Sequence, residues 1–221
     1  EVPMDEGSGL PGAPHARDAR PPGSDGGPPA TTVPPEAREL KWPRAFCTSP
    51  CGDRLQLAED GALATRTSGI GYGVAYVGPL SLERGKAYFQ VEVDAIEPKS
   101  SQTAAIGMCC SLPSSKSLRV EKAKDLGQGS YLLGYDIPKV FAHGVEVAKI
   151  STKQWRPLKE LAAGDHIGFL IDRVSMKLSV FVNGVKKADA AMPGEQWPGE
   201  VWGVIDIHGK VRGARLCRPD R

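Results

Sequence analysis

Gly164-Asp165-His166-Ile167-Gly168-Phe169-Leu170-Ile171-Asp172, followed by Leu178-Ser179-Val180-Phe181-Val182-Asn183-Gly184-Val185, decides the fold. Residues 166–172 and 177–182 are short apolar runs rich in β-branched and aromatic side chains, bounded by Gly, Asp and Asn, which is how strands read. Arg173-Val174-Ser175-Met176 joins them as a hairpin. Asn183-Gly184 supplies the positive backbone angles of a primed turn, so a third strand starts at Val185.

The same punctuation extends outward. Tyr88-Phe89-Gln90-Val91-Glu92-Val93-Asp94 alternates with period two. Phe89, Val91 and Val93 therefore face a core, and Tyr88, Gln90, Glu92 and Asp94 are expected to face water. Residues 104–109 read as a central strand, and 55–57, 62–66, 72–77, 131–136, 201–207 and 213–217 as further strands. Glu59-Asp60-Gly61 is a turn and Ser68-Gly69-Ile70-Gly71 a Gly-rich loop. A helical turn fits best at 155–161, and no long amphipathic helix or tandem repeat is present. The polar segment 111–129 carries Lys116, Arg119, Lys122 and Lys124. It is too long for a hairpin turn and is expected to be a functional or mobile loop. The expected fold class is all-β, a two-sheet antiparallel β-sandwich.

The first 40 residues differ from the rest. Gly and Pro dominate them, and the few aliphatic residues follow no period. Such a stretch buries too little apolar surface to offset its ordering entropy, so a disordered Pro/Gly-rich tail is expected over 1–40 and the ordered domain over 41–221. Pro11-Gly12-Ala13-Pro14 is a formal P-x-x-P, read as plain tail because no basic residue flanks it at ligand spacing. The acidic start predicts no signal peptide, and a first residue other than Met leaves room for residues upstream. No apolar run reaches the ~18 residues of a membrane-spanning helix. A net charge of +2 is too small to argue for nucleic acid. Lys210, Arg212, Arg215 and Arg218 could join the 111–129 cations in a basic stripe, but Glu121 and Asp125 interleave, so a solvated face is the default.

Five cysteines, an odd number with two adjacent, argue for a reducing compartment, cytosol or nucleus. Cys47 and Cys51 resemble half a zinc site without a second pair, so free thiols are expected and neither metal nor cofactor. Asp172 and Asp206 invite a glycosidase-like pairing, but both fall at strand ends, where turn and cap hydrogen bonding is the ordinary role. His143, His166 and His208 lack a nucleophile motif, and Gly127-Gln128-Gly129-Ser130 lacks the strand-to-helix context of a phosphate loop. Trp155, Trp197 and Trp202 are expected in core or rim packing. The expectation is a protein without enzymatic activity. A carbohydrate-binding, lectin-like sandwich is the alternative, weakened because no loop gathers Asp and Asn beside an aromatic residue.

In their order, Gly85 to Val93, Ile106-Gly107, Gly134-Tyr135-Asp136, Gly164 to Asp172, Leu178 to Gly184 and Val201 to Gly209 resemble a SPRY domain. The first half, Leu55 to Arg66, Gly73-Val74-Ala75-Tyr76 and Pro79-Leu80, is similar to a neuralized-type repeat. Both resemblances imply a sandwich whose loops bind a peptide or loop of a partner protein, with no role for a membrane. They also imply a possible adaptor or substrate-recognition place in ubiquitin ligation, indirect here because no RING or F-box-like segment is visible. Carried over by position, the contact surface comprises Arg66, Ser68, Ile70 and Tyr72, the segment 111–129 with Lys116 and Arg119, and Ile207 with His208. The resemblance makes Tyr72 an aromatic anchor and Arg66 a donor to an acidic or carbonyl-rich peptide.

Overall fold

Residues 32–113 and 119–218 are described by a computed structural model, and the alternating runs of the sequence become its strands. In chain order these are β1 (Leu55–Ala58), β2 (Leu63–Arg66), β3 (Val74–Ser81), β4 (Lys86–Ile96), β5 (Ala105–Cys109), β6 (Ser130–Gly134) and β7 (Lys139–Ala142). There follow β8 (Val145–Lys149), β9 (His166–Asp172), β10 (Lys177–Val182), β11 (Val185–Ala191), β12 (Glu200–Asp206) and β13 (Val211–Leu216). A single helical turn, α1 (Pro157–Glu160), precedes β9. Seven strands form one antiparallel sheet in the order β1-β2-β13-β4-β9-β10-β11, and six form the other in the order β3-β12-β5-β6-β7-β8. The two-sheet antiparallel sandwich expected from the sequence is the fold.

The deciding stretch folds as read. β9 pairs with β10 from Asp172↔Lys177 to Ile167↔Val182, and Asn183 and Gly184 turn the chain with φ of 51° and 77°. Asp172 has its turn role: Oδ1 accepts from the backbone N–H groups of Val174 and Ser175, each at 3.0 Å. The hairpin β7–β8 was not read from the sequence. Its primed turn is His143-Gly144, with φ of 54° and 85°, a conformation uncommon for non-Gly residues in which histidine, like Asn and Asp, is enriched. Between the sheets, Phe89, Val91, Val93, Phe169 and Ile171 meet Ile106, Met108, Leu133 and Ile205, and Trp155 and Trp197 close the core. Phe89 and Phe169 stack tilted, with centroids 5.9 Å apart.

The expectation that Tyr88 and Gln90 face water is corrected: they are 0% and 2% exposed. Residues assigned to the tail cover them. A short 3-10 turn, Pro35–Ala37, brings Ala37 and Trp42 onto Tyr88, Leu170 and Phe181, with Val33 and Leu40 beside them. Trp42 packs on Tyr88 at 4.9 Å between centroids and donates Nε1–H to Ala37 O at 3.2 Å. Tyr88 Oη donates to Gln90 Oε1 at 2.7 Å, and Gln90 Nε2 donates to Thr32 Oγ1 at 3.3 Å. Packed structure therefore starts before residue 40. A strand pattern cannot show that its polar face is roofed by a distant segment. Glu92 and Asp94, beyond the roof, stay partly exposed.

The outer face of the six-stranded sheet is also covered. Leu112, Val120, Ala123 and Leu126 of the long polar segment pack on Val74, Tyr76, Leu132, Phe141 and Val204. The described part of that segment is a packed flap whose few apolar residues face inward.

Candidate functional site

At one end of the sandwich four chain segments meet over the end of β12: residues 67–73 between β2 and β3, the flap at 119–126, the turn after β6, and residues 207–210. Backbone hydrogen bonds fasten them together. Tyr72 N–H donates to Glu121 O at 2.9 Å, Gly209 N–H to Ile70 O at 2.8 Å, Ile207 N–H to Gly73 O at 2.9 Å, and Arg54 N–H to Tyr72 O at 3.2 Å. Loops tied at this many points present a preorganised surface.

Beneath them lies a buried polar floor. Arg66, 1% exposed, donates Nε–H to Ile207 O at 3.1 Å and Nη2–H to Gly209 O at 2.6 Å and Val211 O at 3.3 Å. Its stem passes Gly73, where a Cβ would lie 3.3 Å from Arg66 Cδ and 2.2 Å from Ile207 O. Asp206 Oδ2 accepts from Ala123 N–H at 2.8 Å and from Tyr135 Oη at 2.7 Å, so one carboxylate holds the flap and the turn after β6. His208 shares a short hydrogen bond with Gln102, Nε2 to Oε1 at 2.6 Å, and meets the Tyr135 ring edge-on at 6.1 Å.

This floor changes the predicted site. Arg66, Ile207 and His208 were expected at the contact surface, but all three are buried. Arg66 spends its donors on backbone carbonyls, Ile207 belongs to the inter-sheet core, and His208 braces Gln102. They shape the loops from below. Ser68 and Ile70 are exposed, Ile70 at 41%, and Tyr72 is half-buried on the same loop with φ 63°. Arg119 is exposed and pairs with Asp53 at 3.4 Å. Lys116 lies outside the described residues. Sequence reading missed Arg54, whose guanidinium lies 4.6 Å from the Tyr72 ring centre; Lys122, within the expected 111–129 segment, has its ammonium 5.7 Å from the ring centre of Tyr135. Arg54 was an undistinguished cation in a sequence full of them.

Burial pushes the Asp206 carboxyl up to about 6, against the lowering effect of Ala123 N–H, Tyr135 and Lys122. Burial, reinforced by Lys122 and Arg66, pushes His208 down to about 4. The stability consequences have opposite signs. The His208 contribution is full above its ordinary 6.5 and is lost as pH falls through 4. The Asp206 contribution is full below its ordinary 3.8 and is lost as pH rises through 6. The two therefore offset between pH 4 and 6.5. Relative to wild type, His208→Gln should gain about 3 kcal/mol of stability as pH falls from 7 to 4, measured by urea unfolding at each pH. A pH-independent difference between the two proteins would show that His208 does not titrate this way.

Asp172 and Asp206, the tempting carboxylate pair, sit on different sheets, at the end of β9 and of β12. A second polar cluster joins β6 to the chain before β12. Glu195 accepts from Tyr131 Oη at 2.6 Å and contacts His143 Nε2 at 3.0 Å, while Gly129 N–H donates to His143 Nδ1 at 3.0 Å. The Gly129 bond makes Nδ1 an acceptor, so the neutral ring carries its proton on Nε2 and donates it to Glu195. Cys47, Cys51, Cys109 and Cys110 are free thiols, and among the described residues no group of three or more His, Cys, Asp or Glu converges to hold a metal ion. Among the same residues no helix is long and apolar enough to cross a membrane.

A family model described as Neuralized matches residues 46–218. The crystal structure of the Drosophila melanogaster neuralized-nhr1 domain superposes with a TM-score of 0.59 at 16% identity, covering 80% of this chain and 98% of that one. The solution structure of the NEUZ (NHR) domain in Neuralized from Drosophila melanogaster gives 0.53 at 16% identity, covering 79% and 91%. The TRIM65 PSpry domain gives 0.52 at 15% identity, covering 79% and 89%. At such identities these likenesses establish the shared sandwich, while the family model covers most of the chain. The chain belongs to the Neuralized family, a group of SPRY-like sandwich domains that serve as protein-interaction modules.

Proposed function

We propose that this domain is a non-catalytic recognition module that binds a short segment or loop of a partner protein at the fastened loop end. The observation that supports this reading is the pairing of exposed Ile70 and half-exposed Tyr72 on a loop tied down by Glu121, Arg54 and Gly209. An apolar and aromatic pair held rigidly among polar neighbours offers a partner contact area at little entropic cost. Ser68 and Arg119 edge this surface. Tyr72→Ala should weaken partner binding by about 2 kcal/mol while moving the thermal midpoint only slightly. The check is calorimetric titration of a captured partner fragment against both proteins. Equal affinities would place the binding surface elsewhere on the domain.

In ubiquitin ligation such a module would contribute capture of the substrate and leave transfer to another protein. Loss of a captured partner's ubiquitination when Tyr72→Ala replaces the wild type in cells would support that role, and unchanged ubiquitination would remove it. The free thiols of Cys47, Cys51, Cys109 and Cys110 suit the cytosol or nucleus, and fractionation of the tagged protein tests the location.

A further inference from the structure

We infer that the partner segment carries an aspartate or glutamate that is received by Arg54. This rests on the loop-end reading above and supplies the chemistry of its ligand. Arg54 immediately precedes β1, and its backbone is bound on both sides: N–H donates to Tyr72 O at 3.2 Å, and its carbonyl accepts from Thr67 N–H at 2.8 Å and Thr67 Oγ1 at 3.2 Å. The guanidinium is thereby laid over the Tyr72 ring at 4.6 Å. The loop makes room for it. Gly69, at φ +61°, lies under the side chain so closely that a Cβ there would fall 2.2 Å from Arg54 Nη1.

Arg54 is placed but unspent. Among the described residues its guanidinium has no hydrogen bond and no ion pair, whereas the neighbouring Asp53 carboxylate is taken by Arg119 at 3.4 Å. Arg66, the buried arginine of this end, has given Nε and Nη2 to three backbone carbonyls. A guanidinium oriented by an aromatic face presents a planar fork of N–H donors, the geometry that a carboxylate accepts in bidentate fashion. The Tyr72 ring lies under it and exposed Ile70 follows Gly69 on the same loop, so the fitting segment places an apolar residue next to the acidic one. The donor to an acidic peptide that position assigned to Arg66 is Arg54.

The test is selection of random dodecapeptides displayed on phage against the wild type, Arg54→Glu and Tyr72→Ala, with folding of each verified by its thermal midpoint. The expected result is a wild-type consensus with one fixed Asp or Glu beside an apolar position. Arg54→Glu should replace that acid with Lys or Arg. A synthetic consensus peptide should bind Arg54→Gln about tenfold to a hundredfold more weakly than wild type, with a loss that shrinks in high salt. A wild-type consensus without an acid, or one unchanged in Arg54→Glu, overturns the assignment to Arg54 while leaving the loop-end site standing if Tyr72→Ala abolishes selection. Enrichment insensitive to both substitutions, or no enrichment over a protein-free control, overturns both readings.

Discussion

Replacing Arg66 with methionine lowers the unfolding free energy by about 3–5 kcal/mol, the scale for removing one member of a buried charged network. Methionine keeps most of the volume beside Gly73, so the loss isolates the polar contribution. The carbonyls of Ile207, Gly209 and Val211, now served by one guanidinium, are left without that donor in a site closed to water. Each buried acceptor so orphaned costs about 1–3 kcal/mol. Glu97, 3.8 Å from Arg66 Nη2 and half-exposed, adds little, because its charge is screened by solvent. Lysine is a poor rescue: its single ammonium cannot span carbonyls that Nε and Nη2 reach separately. Urea unfolding of Arg66→Met and Arg66→Lys provides the measurement. A loss below about 1 kcal/mol in both would mean that water replaces the guanidinium and that the floor is not closed. Because the same carbonyls fix residues 207–211, the substitution should also weaken partner binding, an effect transmitted through the loops.

Trp42→Ala should cost about 3–5 kcal/mol, in the range for deleting a large buried aromatic. The indole is 9% exposed and packs over Tyr88, and its removal takes away the Nε1–H bond that holds the Pro35–Ala37 turn. Tyr88, Leu170 and Phe181 would then form an uncovered apolar patch on the seven-stranded sheet, so the variant should aggregate on heating and bind a hydrophobic dye. Chemical unfolding together with dye fluorescence checks both consequences. A nearly unchanged midpoint would mean that the roof rests on the sheet without supporting it. A chain begun at residue 44 should behave like Trp42→Ala, since it lacks the same cover.

Much of the sandwich was legible because its causes are local. Period-two alternation in β4, the apolar runs of β9 and β10, and Asn183-Gly184 all act within a few residues, and antiparallel pairing of neighbours follows from short turns. The β7–β8 hairpin was lost for the complementary reason. His143 and Gly144 do the work of Asn-Gly, and their positive φ is sustained by contacts the sequence does not display, including the Gly129 bond to His143.

The candidate site divides along the same line. From the sequence came the loops that would gather, and the exposure of Ser68, Ile70 and Arg119, with Tyr72 half-buried among them. Only the tertiary structure decided which cation is free. Arg66 and Arg54 are both arginines flanking the Gly-rich loop, and no local pattern separates them. Arg66 ends β2 pointing beneath residues 207–211, brought over it by β13 pairing with β2, so its Nε and Nη2 are engaged by their carbonyls. Arg54 lies on the other side of the loop, above Tyr72, where no carbonyl or carboxylate of the described chain reaches its guanidinium. The roof over Tyr88 and Gln90 has the same origin. Burial is set by which distant segment arrives, and the composition and periodicity of a strand carry no record of that arrival.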